Sequence, residues 1–360
     1  MCRFLPSLLA IVASTATAVA NDWTLLKYEG RDHVPLENVA TFYGLDHITR
    51  ASNDVTLNGG ARSLRGHVGS NEFYINNLKF ILSYPIAELA GQPIVSRMDL
   101  AKIIEPVLRP SRIKGAEKID TIILDPGHGG YDNGATSPWG NEKNFALDVA
   151  FRARDLLLRQ GFKVQMTRSS DVFVPLEDRA RIANQHSNAL FISIHFNSGG
   201  PTASGLETYT LAPRGVPSMA ADGPRLSDLQ MCAGNSRDSE NMALATATHA
   251  ALVGCSQLYD RGIKRARFVV IRDVTIPGVL IEGGFLSNAS DSRRVATTAY
   301  RQQMATCITD AVQAYRNSVG PAPLIATHAT EATHVSDSAS ATTTTHGRPD
   351  EPVVMIPTAN

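Results

Sequence analysis

The stretch TIILDPGHGGYDNGA, residues 121–135, followed five residues later by NEKNFALDVAFRARDLLLRQG, residues 141–161, decides the fold. Thr121–Leu124 reads as a short buried strand, and Asp125-Pro126-Gly127 ends it in a glycine-rich loop. A helix is predicted over Glu142–Arg159, with Asn141 as its N-cap and Gly161 as its C-terminal stop. Lys163–Thr167 reads as a second strand. Beyond it, helix Leu176–His186, strands Ala189–Phe196 and Gly205–Leu211 and helix Glu240–Leu252 are predicted, then strands Phe268–Ile271 and Val279–Glu282 and a long closing helix Asp291–Tyr315. Strands separated by helices imply an open mixed α/β sheet with helices on both faces, whose site gathers at strand C-terminal ends.

Of the 360 residues, 43% are hydrophobic and 19% charged, and Lys+Arg 34 balance Asp+Glu 34. That balance argues against a disordered chain and against a basic nucleic-acid binder, so no nucleic-acid partner is expected. Four cysteines, Cys2, Cys232, Cys255 and Cys307, contain no C-x-x-C pair, which supports neither a zinc ribbon nor a disulfide-dense scaffold.

Both ends read as lying outside the fold. Met1-Cys2-Arg3, the apolar run Phe4–Ala13 and the small residues Ala18-Val19-Ala20 have the layout of a signal peptide over residues 1–20. Its removal takes Cys2 and leaves three thiols, enough for at most one intramolecular disulfide. No other stretch approaches about 18 apolar residues, so no transmembrane anchor is expected. From 318 to 360 the chain turns to Ala, Thr, Ser, His and Pro, and reads as a disordered tail in which His328, His334 and His346 are solvated. Export to the periplasm or the medium follows.

Residues 21–115 carry a weak internal repeat. GRDHVPLENVATFYGL (30–45) and GQPIVSRMDLAKIIEPVL (91–108) each have a turn glycine, a short strand and an amphipathic helix, with hairpin-like strands between them. This smaller α+β region resembles the stalk domain found near the N-terminus of copper amine oxidases and on many bacterial cell-wall enzymes. A spacer or wall-binding module, or a purely structural domain, fits it. Arg109–Lys118 reads as a linker to a catalytic domain over 118–317.

Three strands of that second domain run into residues able to hold or serve a metal: Asp125 to His128, His195, and Glu282. Glu142 opens the first helix. Two imidazoles and a carboxylate form a known catalytic zinc set that leaves one position for water, although cobalt or manganese also suits such donors. H-E-x-x-H is absent, so the fold must assemble the site. Singly, Glu142 is ordinary helix punctuation and His195 an ordinary core histidine. A carboxylate closing an apolar strand, as Glu282 does, must be paired, exposed in a cleft or neutral.

Taken together, IILDPGHGGYDNGA (122–135), NEKNFALDVA (141–150), TRSSDVFVPLEDRARIAN (167–184), FISIHFNS (191–198), GLETYTL (205–211) and DRGIKRARFVVIRDVTIPGVLIEGGFLSN (260–288) resemble the zinc-dependent N-acetylmuramoyl-L-alanine amidases of the type 3 family, hydrolases that cut peptidoglycan. The resemblance covers about 200 residues. It implies zinc ligands at His128, Glu142 and His195 and a catalytic glutamate at Glu282. It further implies that metal-activated water attacks the amide between N-acetylmuramic acid and L-alanine, with Glu282 as general base and then acid. Peptidoglycan is the implied partner, a cell-wall-associated protein the implied setting.

Weaker candidates surround these. Asp125 either fixes the imidazole of His128 or is a turn residue. Asn197 and Ser198 either touch substrate or belong to an ordinary loop. Arg168 with Asp171, and Arg179 near Glu177, read as ion pairs bracing a loop. Lys264, Arg265 and Arg267 form a basic cluster that either meets stem-peptide carboxylates or is a solvated face. Some family members insert an occluding helix after the strand matching Gly205–Leu211, displaced by a protein activator. Here Ala212–Ser239 lacks sustained apolar periodicity and reads as a substrate-side loop, with a short plug around Arg225–Met231 as the other option. The rival functions are a zinc peptidase acting on stem peptides and a non-catalytic peptidoglycan-binding protein.

Overall fold

Period-two alternation along four strands sorts the region from residue 118 onward into two faces. In the computed structural model, which describes residues 23–221 and 223–319, the strands are β1 (Leu26–Tyr28), β2 (Arg31–Pro35), β3 (His47–Ala51), β4 (Asp54–Gly59), β5 (Arg62–His67), β6 (Glu72–Ile75), β7 (Leu78–Ile81), β8 (Ala87–Leu89), β9 (Gln92–Ser96), β10 (Thr121–Pro126), the short pair β11 (Thr136–Ser137) and β12 (Gly140–Asn141), β13 (Lys163–Met166), β14 (Ala189–Asn197), β15 (Leu206–Leu211), β16 (Asp260–Ala266) and β17 (Gly278–Phe285). The helices are α1 (Leu36–Tyr43), α2 (Arg97–Asp99), which runs on through a π-helical turn into α3 (Glu105–Leu108), α4 (Glu142–Arg159), α5 (Leu176–Ala183), α6 (Asp238–Ser256), α7 (Val269–Arg272), α8 (Ala289–Val295) and α9 (Thr298–Ser318). The expected signal peptide, and the tail from residue 320, lie outside the described residues.

An 11-stranded mixed sheet has the order β13-β10-β14-β17-β15-β16-β7-β6-β5-β4-β3. Strands β13, β10, β14 and β17 are parallel, β15 joins β17 antiparallel, and β16 joins β15 parallel. Ile122 and Leu124, Leu190, Ile192 and Ile194, and Val279 and Ile281 point into a core shared with α4, α6 and α9. Ile123, Phe191, Tyr209 and Leu280 point to the opposite face, where α5 and α7 cover them. Asp125, His195, Glu207 and Glu282 share the parity of this second set. The register His195↔Glu282↔Glu207 then aligns three polar side chains across adjacent strands.

The two repeat halves of the N-terminal region meet directly. β2 pairs antiparallel with β9, His33 opposite Ser96 and Val34 opposite Val95, in a four-stranded sheet ordered β1-β2-β9-β8. The intervening meander β3–β7 extends the large sheet, because β7 lies parallel to β16 through Phe80 and Ile263. Beside that junction Arg265 is fully buried and its Nη2 donates to Asp99 Oδ1 at 2.6 Å. Asp99 also accepts from Ser83 N, Ser83 Oγ, Tyr84 N and Ser96 Oγ, so the carboxylate is well satisfied. Two other nitrogens of Arg265, Nε and Nη1, are buried without a hydrogen-bond partner.

Two elements differ from expectation. Phe268–Ile271 is not a strand: Val269–Arg272 forms one helical turn under α5, and the strand is Asp260–Ala266. A four-residue apolar run suits either element, whereas the charges of β16 were legible only once their partners Glu207 and Asp99 were in place. The closing helix is broken at Ala296–Thr297, where Thr297 Oγ1 accepts from Tyr300 N and caps α9. Cys255 and Cys307 form a disulfide with Cα atoms 6.8 Å apart, tying α6 to α9, and Cys232 is free.

Candidate metal and catalytic site

His128 enters the site from the loop after β10, with φ at 59°, in the left-handed region. Glycines make room for it. A Cβ on Gly127 would lie 2.3 Å from the His195 ring, and one on Gly134 would lie 2.5 Å from both Glu142 Oε2 and the His128 ring. Glu142, in the first turn of α4, is held by Ala135 N on Oε2 at 2.8 Å and by Phe196 N on Oε1 at 3.0 Å. Its Oε1 faces His128 Nε2 at 3.1 Å and His195 Nδ1 at 2.9 Å. One donor atom from each of the three residues lies within 4.8 Å of the others, a cluster able to hold a metal ion.

The donor chemistry fits a cation. Asp132 Oδ2 lies 2.9 Å from His128 Nδ1, so this nitrogen donates and Nε2 presents its lone pair toward Glu142. Lone pair and carboxylate then oppose each other unless a proton or a metal lies between them. Burial disfavours the charged forms of both Glu142 and His128. Pairing outweighs it: His128 and His195 lower the Glu142 carboxyl below the ordinary range, and Glu142 with Asp132 raises His128.

Glu282 sits in the same cavity of about 520 Å³, with Leu176, Asn197, Phe268 and Leu280 in its walls. It is half-buried, and its Oε2 is sealed off without a hydrogen-bond partner. Burial first, then the charges of Glu142 and Glu207, raise its pKa well above the ordinary carboxyl value against the pull of Lys264. Glu207 is buried and held by Tyr209 Oη at 2.6 Å, Lys264 Nζ at 2.7 Å and Arg261.

A family model described as N-acetylmuramoyl-L-alanine amidase matches residues 122–314, more than half of the chain. The chain belongs to the N-acetylmuramoyl-L-alanine amidase family. It is 32% identical over 244 residues to the amidase AmiA of Escherichia coli K12, covering 61% of this chain and 84% of that protein. The sporulation-specific amidase of Bacillus subtilis is 32% identical over 186 residues, covering 51% of this chain and 63% of that protein. Among solved structures, an N-acetylmuramoyl-L-alanine amidase from Clostridium difficile 630 is 31% identical, with a TM-score of 0.47, covering 56% of this chain and 100% of that one.

Within this amidase fold the weaker candidates separate. Asp125 does not hold His128. It is fully buried and accepts from Arg179 Nη1 at 2.9 Å, Thr167 Oγ1 at 2.6 Å and Ser193 Oγ at 2.7 Å, while Asp132 takes the role expected of it. The reason is parity: Asp125 points to the sheet face, whereas His128 lies beyond the turn. Arg168 does not pair with Asp171. It donates to the carbonyls of Pro126, Gly127 and Lys143, and Arg179 donates to those of Pro126 and His128, so two buried guanidiniums clamp the loop backbone. Asp171 instead accepts from Lys143 Nζ at 2.9 Å.

Asn197 lines the cavity, its Nδ2 3.3 Å from Glu207 and its Oδ1 accepting from Ser198 N. The basic cluster does not face one way: Lys264 serves Glu207, Arg265 is buried against Asp99, and Arg267 is tied to the insert through Pro213 O and Asp228 O. No described residue of the insert lines the cavity that holds His128, Glu142, His195 and Glu282. Leu226–Leu229 forms a 3-10 turn away from its lining. Asp132 was missed because its signal, an Asp four residues after a histidine in a glycine-rich loop, is shared by ordinary turns.

Proposed function

We propose that this protein hydrolyses the amide between the lactyl group of N-acetylmuramic acid and L-alanine in peptidoglycan, with zinc as its cofactor. The observation that carries the reading is the meeting of His128 Nε2, Glu142 and His195 Nδ1 in one cavity with Glu282, in a chain of this family. A zinc ion held by the three residues would supply Lewis acidity toward the scissile carbonyl and acidify water. Asp132 keeps His128 in the tautomer whose Nε2 is free to bind, and Phe196 N and Ala135 N keep Glu142 oriented. Glu282 takes a proton from the attacking water at one carboxylate oxygen and returns it to the leaving amine of L-alanine.

An exported, wall-associated setting accords with the signal-like start and with the Cys255–Cys307 disulfide, since such bridges persist in oxidising compartments. Among the described residues no helix is long and apolar enough to cross a membrane. The N-terminal region, up to about residue 115, would serve as a stalk-like module, and a protein activator would act on the catalytic domain over 118–317.

The test is mass spectrometry of purified peptidoglycan digested with zinc-loaded protein, beside Glu282→Ala and EDTA controls. Intact stem peptides bearing a free L-alanine amine, lost in both controls, are expected. Shortened stems with the muramoyl linkage intact would make the protein a stem peptidase, and no products despite bound zinc would make it a binding protein.

A further inference from the structure

The metal-site cavity adjoins a second one of about 510 Å³, and Arg267 and Phe268 line both. The second chamber is walled by the insert, including Ser218, Arg225 and Cys232, and by Arg272 at the end of α7. Three guanidiniums therefore border it. The carboxylates in its wall are already paired, Asp228 with Arg267 at 3.1 Å and Asp273 with Arg272 at 2.6 Å. Arg225 has no ionic partner among the described residues, and it is exposed. The Arg267 side chain is only 8% exposed, and its Nε, although close to Asp228, is buried without an aligned hydrogen bond. Its Nη1 lies 3.1 Å from Cys232 Sγ. The walls thus hold one guanidinium charge, that of Arg225, without an ionic partner among the described residues, and donors of Arg267 and Arg272 left over from their pairs with Asp228 and Asp273.

We propose that this chamber receives a carboxylate of the peptide stem. The inference rests on the amidase reading of the adjoining site. On one side of the scissile amide lies an uncharged sugar whose lactyl carboxyl is consumed in the bond, and on the other an acidic peptide. Only the peptide carries a group that cationic walls would select. A cavity of this volume is on the order of 8 Å across, so two or three extended residues, about 3.4 Å each, reach from one cavity into the next. Arg225 and Arg272 contact the carboxylate, and Arg267 positions the insert that carries Arg225. The insert becomes a specificity element, which agrees with its absence from the lining of the metal cavity.

The test uses the full-length zinc-loaded protein and calorimetry with L-alanyl-γ-D-glutamyl-L-lysine, either as the free acid or with every carboxyl amidated. The free acid should bind the wild type more tightly than the amide, and Arg225→Gln and Arg272→Gln should each weaken it by roughly three- to tenfold while the amide is unaffected. The same variants should shrink the KM preference for muramoyl peptides with free stem carboxylates over their amides. Equal binding of acid and amide by the wild type overturns the proposal. So does an equal loss on both probes in the variants, because the residues then act through structure. Carboxylate-selective binding without any muramoyl cleavage by the wild type would leave the chamber standing and refute the amidase reading alone.

Discussion

Asp125, near the end of β10, and Asp132, in the loop after it, stand seven residues apart and do different work. Asp132 faces His128 Nδ1 from a partly exposed position, so its loss leaves the fold intact and frees the ring to rotate. Asp132→Asn should weaken zinc binding by about 10- to 100-fold in chelator competition with little change in melting temperature; unchanged affinity would remove it from the site. Asp125 is buried, and although burial opposes its charge, Arg179, Thr167 and Ser193 hold its pKa below the ordinary 3.8. A depressed folded-state pKa means that ionised Asp125 contributes stability above the unfolded value, lost as pH falls below it toward the folded value. Asp125→Asn should cost roughly 3 kcal/mol at neutral pH, because it leaves the Arg179 guanidinium buried without its counter-charge. Melting curves should show that gap constant from about pH 5 to 8 and shrinking below about pH 3.9. A gap that persists into strong acid would mean that shape, not charge, is what the carboxylate provides.

Among the elements, α6 and α9 pack along each other and are joined through Cys255 and Cys307, closing a loop of sequence separation 52. Neither helix supplies a proposed ligand, yet both back the sheet face opposite the site. Reducing the bridge should lower stability by about 2–4 kcal/mol through the freer unfolded chain, read as a lower melting temperature in dithiothreitol. Zinc affinity should change little, and a marked loss of bound zinc would show that these helices set the spacing of β14 and β17. The short α7 shows how position overrides pattern. Its three apolar residues, Val269–Ile271, occupy one turn because β16 already fills the place beside β15 in the sheet and α5 packs against that turn, with Val270 and Ile271 buried.

For the whole molecule, the N-terminal meander and the catalytic sheet share hydrogen bonds at β7 and β16, and the Asp99–Arg265 pair lies at that seam, both residues essentially without exposure. Breaking a buried pair by removing one partner is costly, so Asp99→Ala should destabilise the protein by roughly 3–5 kcal/mol in denaturant unfolding. Because the two regions share the seam, the loss should appear as one transition. Two separate transitions, with the catalytic region unmoved, would show that the seam contributes nothing to the catalytic fold.

Apart from β11, β12, β16, α7 and the break between α8 and α9, the strands and helices after residue 118 were legible in the sequence, as were the candidacy of His128, Glu142, His195 and Glu282 and the paired repeat of the N-terminal region. Each leaves a local signature: a periodic apolar run, a glycine-rich break, or a polar residue closing a strand. Other features were decided by tertiary structure alone. Which aspartate faces His128 depends on the parity of β10 and the turn after it. That Arg168 and Arg179 clamp carbonyls, and that Arg265 is buried, depends on partners 25 to 166 residues away in sequence. The physical reason is that hydrophobic periodicity is a short-range property of the chain, whereas a buried charge is tolerable only through the groups that surround it after folding.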